Sequence, residues 1–271
     1  MDCVGVADAL GGNYRSSRRK NKMAPADSIA IHYRMRPVLL VTVDADIAGG
    51  KTTLIARIRD QLRWRVIVAA EPVDAWHASG LLAEMYRSLG APQPNPDGMP
   101  GMFQIYAFST RTAMLADAMR QARALSNECG DTVVVLSERS VFTDRDVFKH
   151  MLAESGHITP VQQRIYDGCF EALIPALVPD GTPDLCIWVD SEPDLCIERH
   201  RARARPGEVL TPDYAAALHK RHIELFAGEN ALIGGAAVPV LRIDGRQAYH
   251  DDDAVLAGVV ASIEAAIERC A

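Results

Sequence analysis

The chain has 271 residues, 48% hydrophobic and 24% charged, which supplies apolar material for one sizeable core and too little for two large ones. A formal net charge of −6 excludes a uniformly basic surface for nucleic acid, and the longest apolar runs fall well short of the roughly 20 residues a membrane-spanning helix needs. Six scattered cysteines (Cys3, Cys129, Cys169, Cys186, Cys196, Cys270) form no C-x-x-C pair, so no disulfide framework or zinc site is indicated and a reducing, cytoplasmic setting is expected.

Charge is uneven along the chain. Residues 1–36 carry seven Lys/Arg against three Asp, so the basic extension leaves a net of −10 for the rest. With Gly11-Gly12-Asn13, Ser16-Ser17 and Arg18-Arg19-Lys20 and no sustained apolar periodicity, residues 1–36 read as a disordered tail, and residues 37–271 as the folded domain. A nuclear or mitochondrial address is the alternative for the tail, the second weakened by Asp2 and Asp8.

From Pro37 onward, β-branched runs alternate with helix-length segments. Strands are expected at Val38–Val43, Arg65–Ala70, Thr132–Leu136, Leu185–Val189 and Val238–Ile243. This alternation predicts an α/β fold: a five-stranded parallel sheet flanked by helices on both faces. Gly90–Gly101 reads as a loop between helices, and Asp253–Cys270 as a closing amphipathic helix.

Directly after the first strand comes Asp44-Ala45-Asp46-Ile47-Ala48-Gly49-Gly50-Lys51-Thr52-Thr53, leading into the helical pattern Leu54–Leu62. A strand, a tight loop ending in Gly-Lys-Thr and a helix is an arrangement in which backbone N–H groups and a helix N-terminus wrap a phosphate chain. Lys51 is expected on the β/γ-phosphates and Thr52 on Mg²⁺. Two residues depart from the usual pattern. Ala45 stands where the first glycine belongs, which is harmless only if its φ stays negative. Asp46 brings a carboxylate close to a polyanion, which costs affinity unless it points away or is paired.

In an open parallel sheet, ligands collect beyond the carboxyl ends of the strands. The second strand ends in Glu71-Pro72-Val73-Asp74-Ala75-Trp76 and the third in Ser137-Glu138-Arg139-Ser140, followed by Val141-Phe142-Thr143-Asp144-Arg145. Between them lies Met102-Phe103-Gln104-Ile105-Tyr106-Ala107-Phe108-Ser109-Thr110-Arg111. After the fourth strand come Arg199, Arg203, Arg205 and Glu208. These four ordered motifs, spread from about Val38 to Ile243, resemble the deoxyribonucleoside kinase family of P-loop kinases, which includes deoxycytidine, deoxyguanosine and mitochondrial thymidine kinases.

The resemblance implies ATP-dependent phosphorylation of a deoxyribonucleoside 5′-hydroxyl, a Mg²⁺ requirement, a homodimer and a place in nucleotide salvage. It implies that Glu71 is the general base and that Arg139 holds the reacting oxygens, with Glu138 placing Mg²⁺ through its water shell. Tyr86 and Glu208 then take the sugar 3′-hydroxyl. Trp76, Phe103 and Phe148 clamp the base, Gln104 reads its edge, and Leu82 and Met85 complete the wall. Asp244-Gly245-Arg246, after the fifth strand, are expected near the adenine of ATP. Ala107, Arg111 and Asp144 fall where deoxycytidine and deoxypurine kinases carry Ala, Arg and Asp, whereas thymidine-preferring relatives carry apolar residues at the last two.

The arginine-rich lid also has a reading of its own. At about 100° per residue, Arg199 and Arg203 share one helix face and Arg201 and Arg205 another, so they cannot all meet one phosphate from a regular helix. Pro206-Gly207 breaks the helix and could turn Arg205 inward. Arg199, Arg203 and Arg205 are therefore the expected stabilisers of transition-state charge. His219 and His222, lacking a carboxylate in register, read as helix surface. Two alternatives to the nucleoside kinase stand at this point: a non-catalytic member of the fold, favoured by Ala45 and Asp46, and a nucleoside monophosphate kinase.

Overall fold

The strands of the central sheet show how the chain builds two packed faces from one period-2 pattern. In the computed structural model, which describes residues 36–93 and 97–271, Leu39, Val41 and Val43 of β1 (Val38–Ala45) point to one side and Leu40 to the other. Both sets are buried, as expected of a strand covered on both faces. The other strands are β2 (Arg65–Ala69), β3 (Val133–Glu138), β4 (Leu185–Asp190), β5 (Asn230–Ile233) and β6 (Ala236–Asp244). Of the extension assigned to residues 1–36, all but Arg36 lies outside the described residues.

The strand order is β2-β3-β1-β4-β6-β5. The first five are mutually parallel, in agreement with the expected sheet, and a sixth, β5, joins β6 antiparallel at the edge. The two-residue connection Gly234-Gly235 has φ of 59° and 84°, the doubly positive geometry that closes a tight hairpin with the twist of its strands.

Helices α1 (Lys51–Ile58) and α10 (Asp253–Cys270) cover one face, packing Leu54, Ile58, Leu256 and Ile263 on the strands. The other face is covered chiefly by α4 (Met99–Cys129) and α7 (Pro160–Leu177), through Phe108, Leu115, Tyr166 and Phe170. The α4 helix begins at Met99, with Pro100 in its first turn, so the loop expected through Gly101 stops at Gly98. A short pair, α2 (Val73–Ala78) and α3 (Leu81–Leu89), follows β2. After β3 come α5 (Val141–Thr143), a π-helical turn over Asp144–Lys149, and α6 (His150–Glu154). The remaining helices are α8 (Pro193–Arg203) and α9 (Pro212–Phe226).

Because β1 lies between β3 and β4, the chain leaves it in one direction for β2 and later crosses it to reach β4. The loops after β1, β2, β3 and β4 therefore open around one crevice, where such sheets bind ligands.

Candidate active site

The phosphate loop leaves β1 at Ala45, which is fully buried and the last residue of the strand, so the missing glycine is not needed for backbone freedom there. The left-handed turns fall later, at Ala48 (φ 62°) and Gly50 (φ 100°). At Gly50 a side chain is excluded as well, because a Cβ would lie 2.6 Å from the Tyr249 hydroxyl. The helix α1 starts at once with Lys51, aiming its free N–H groups at the loop. Ala48, Gly50, Lys51, Thr52 and Thr53 line a cavity whose far wall is Arg199, Arg203, Arg205, Tyr249 and His250.

Lys51 Nζ sits 3.5 Å from Glu71 Oε2 and 3.6 Å from Glu138 Oε1. Burial, and then the nearby Arg139 charge, hold its pKa below the ordinary lysine value, with the two carboxylates opposing. Thr52 Oγ1 donates to Glu138 Oε1 at 2.5 Å. A hydroxyl and one carboxylate suit Mg²⁺, which keeps waters and phosphate oxygens as its other ligands. No cluster of three or more metal-binding side chains occurs among the described residues.

A second cleft adjoins the first and shares Ala48, Lys51, Arg203 and Arg205 with it. The structure gathers in it every residue that the sequence assigned to the nucleoside: Trp76, Leu82, Met85, Tyr86, Phe103, Gln104, Ala107, Arg111, Arg139, Asp144, Phe148 and Glu208. Trp76 is fixed edge-on to Phe103 at 5.6 Å and by its Nε1 donating to Thr110 Oγ1. The buried Gln104 Oε1 has no hydrogen-bond partner among the described residues. A widened helical turn carries both Asp144 and Phe148, an irregularity common at functional sites.

Glu71 stands where the two clefts meet. Its carboxylate takes Arg111 Nη2 as a close partner, with Arg139 Nε 3.5 Å away and Lys51 on the other oxygen. Burial would raise its pKa, but the charges of Lys51, Arg111 and Arg139 outweigh burial and draw it down to about 2. Arg111 is gripped on the other side by Asp144. Arg139 is 2% exposed, adopts φ 65°, donates from Nη1 to Ala45 O at 2.6 Å and stacks its guanidinium 4.7 Å over Phe148. A left-handed arginine held this firmly is backbone strain located at a site of charge.

The lid resolves as its spacing required. The α8 helix stops at Ala204 (φ 48°), freeing Arg205 from the helical register. Arg203 and Arg205 border both clefts and converge on Glu208, at 2.5 Å and 3.5 Å, while Arg199 faces only the phosphate cavity and donates to Gly245 O. Glu208 also meets His77 and His200, two neighbours that sequence reasoning missed.

Asp244 and Arg246 line a depression with Asp190 and Glu192, Gly245 O accepts from Arg199, and Tyr249 and His250 farther along the same segment reach the phosphate cavity. The Asp46 side chain lines neither cleft; it is buried and paired with His219 and His222. His219 and His222 are not helix surface: both contact the Asp46 carboxylate at 2.7 Å, a partner distant in sequence (173 residues from His219) that no helical register could reveal.

A family model described as deoxynucleoside kinase matches residues 41–268. The chain belongs to the deoxynucleoside kinase family, and with it come phosphorylation of a nucleoside and a nucleotide phosphoryl donor. Among curated proteins it is similar to a probable deoxycytidine kinase of fowlpox virus, 28% identical over 82% of this chain and 86% of the relative. It is also similar to human mitochondrial thymidine kinase 2, 26% identical over 76% of this chain and 70% of the relative. Among solved structures, deoxyadenosine kinase from M. mycoides with bound dCTP superposes with a TM-score of 0.60 over 84% of this chain and all of that one, at 15% identity, a likeness of fold. No helix among the described residues is long and apolar enough to cross a membrane.

Proposed function

We propose that this kinase transfers the γ-phosphoryl group of ATP to the 5′-hydroxyl of a deoxyribonucleoside, prefers deoxycytidine or a deoxypurine nucleoside to thymidine, and serves nucleotide salvage as a homodimer. The observation that carries this reading is the position of Glu71, whose carboxylate touches Lys51 of the phosphate loop and Arg111 of the aromatic cleft at once. A nucleoside lying between Trp76, Phe103 and Phe148 brings its 5′ end to that carboxylate. Glu71 then accepts the hydroxyl proton as the oxygen attacks the γ-phosphorus, and ADP leaves with the bridging oxygen. Arg139 stabilises the charge developing on the transferred group, and Arg199, Arg203 and Arg205 close over it. Thr52 and Glu138 would hold Mg²⁺, which would supply neutralisation of the β/γ-phosphate charge. Tyr86 and Glu208 hold the 3′-hydroxyl, which in binding to Glu208 competes with the lid arginines for the same carboxylate. Exposed apolar side chains on the adjoining helices α4 and α7, among them Met102, Met114, Val161 and Ile165, support the homodimer.

A monophosphate acceptor is disfavoured because Lys51, Arg139, Arg203 and Arg205 are taken up by ATP on this reading and Arg111 is held between Glu71 and Asp144. Among the described residues no cation lining the cleft remains for a second phosphate. The non-catalytic alternative loses its support too, since Ala45 sits in ordinary strand geometry and Asp46 does not line the phosphate cavity and is paired. Incubation with ATP, Mg²⁺ and each deoxynucleoside or monophosphate tests the reading. Nucleoside 5′-monophosphate is the expected product, and turnover of monophosphates alone would refute it.

Base preference follows from the buried Arg111–Asp144 pair, which offers a rigid polar edge to an amino-bearing base, with the unpartnered Gln104 oxygen beside it. A thymine ring brings a 5-methyl and no amino group, so it leaves polar groups unmatched. Competition among the four deoxynucleosides is expected to place thymidine last in kcat/KM. Replacing Arg111 by Met together with Asp144 by Ala is expected to move the thymidine-to-deoxycytidine ratio by about 10–100-fold toward thymidine. Preference of the unaltered enzyme for thymidine would refute the base assignment and leave the kinase assignment intact.

A further inference from the structure

We infer that Asp46 is a positioning residue for the phosphate loop, held by His219 and His222 so that its carboxylate braces the loop against α9 while its charge is balanced there. The inference rests on the reading above that this loop holds ATP.

The geometry is specific. His222 is fully buried, and its Nδ1 lies 2.7 Å from Asp46 Oδ1 and 3.0 Å from Leu218 O. Its Nε2 faces Arg139 Nη1 at 3.5 Å. A cation at Nε2 assigns the proton to Nδ1, which hydrogen-bonds Leu218 O and sits beside Asp46 Oδ1. His219 binds the other oxygen, with Nδ1 2.7 Å from Asp46 Oδ2. Asp46 O meanwhile accepts from Gly49 N at 3.0 Å, so the residue that anchors to α9 also closes the turn of the loop.

The charge balance turns on His219. The Asp46 carboxylate is drawn down to about 2 despite burial, by the imidazoles of His222 and His219, so it stays ionised at any working pH. The hydrogen bond to Asp46 raises the His219 pKa above its ordinary value, against the pull of burial. Below that raised value the pair is neutral in sum; as pH rises through it, His219 loses its proton and Asp46 becomes an uncompensated anion in the loop that receives a polyphosphate. The other ionisable groups around the cluster do not reproduce this change. Asp190, 4.0 Å from His219 Nε2, is itself paired with Arg242, and Glu192 faces Arg246 at 3.5 Å. Cys196 has its thiol pushed up to about 12 by burial and then by Asp46, Arg139 keeps a fixed charge, and Asp44 on β1 acts on Cys186.

The test is the pH dependence of KM for ATP in the full-length enzyme, measured with saturating deoxycytidine from about pH 6 to 9. KM for ATP is expected to rise roughly 3–10-fold toward alkaline pH, with KM for the nucleoside unmoved. His219→Gln is expected to show the high KM at every pH, and Asp46→Asn combined with His219→Gln to bring it back toward the low value, since the second change removes the stranded charge. A brace without charge compensation predicts the opposite order, the double variant being worse than the single one. That order, or a His219→Gln profile identical to wild type, would overturn the inference. Thermal melting shows whether each variant folds. If wild type turns over no nucleoside, the kinase reading fails separately, and MgATP calorimetry over the same pH range and variants decides the role of Asp46.

Discussion

Glu71→Gln is expected to lower kcat by roughly 10²–10⁴-fold, the contribution typical of a general base, while the protein still folds and binds nucleoside. The amide keeps the shape of the side chain and can still accept a hydrogen bond from Arg111, so the loss isolates basicity from packing. The surroundings of the carboxylate also fix the sign of its pH dependence. Its folded pKa is depressed to about 2 by Lys51, Arg111 and Arg139 acting against burial. A depressed carboxylate is ionised above its folded pKa and protonates only as pH falls through it. The acid limb of kcat/KM is therefore expected to lie below the ordinary carboxylate range, near 4.3, for as long as the three cations stay in place. A pKa so low makes a weak base in the empty site. On the proposed reading, ATP draws Lys51 toward the phosphates, which strengthens the base and couples proton acceptance to arrival of the donor. Steady-state kinetics of Glu71→Gln with circular dichroism as a folding control checks this, and turnover within tenfold of wild type would remove Glu71 from the role of base.

Most of this site was legible because its residues sit at strand ends, where a parallel sheet collects them whatever the details of the helices between. Glu71, Glu138 and Arg139 needed only the strand boundaries and the order of the motifs, and the loop around Lys51 needed only its own spacing. What escaped notice depends on distance in the sequence. The grip of His219 and His222 on Asp46 joins a loop to a helix that begins more than 160 residues later, and neither partner announces the other by period or spacing. The same holds for His77 and His200, which meet at Glu208 from two different helices. The edge strand Asn230–Ile233 could have been found, since Gly234-Gly235 between Leu232-Ile233 and a β-branched run is a two-residue hairpin signal.

Lys51→Ala is expected to lower turnover on the order of 10³-fold, more than the loss of one phosphate contact, because this lysine performs two electrostatic tasks. On the proposed reading, it stabilises negative charge on the β/γ-phosphates when ATP is bound. In the empty site it separates Glu71 from Glu138, with Nζ about equidistant from both carboxylates. Alanine leaves those two anions facing the cavity that must receive a polyanion, so MgATP binding weakens as well as chemistry. Glu71 also loses the largest of the attractive charges on it, and its pKa rises, moving the acid limb of residual activity upward. Combining Lys51→Ala with Glu138→Gln separates the two tasks. If repulsion matters, the second change restores part of the MgATP affinity measured by calorimetry, while kcat stays low because nothing replaces the cation on the phosphates. If affinity in the double variant is no better than in Lys51→Ala alone, Lys51 does not act as a spacer between the carboxylates and its whole effect belongs to the phosphate contact. Wild-type turnover in Lys51→Ala would place the phosphoryl donor somewhere other than this loop.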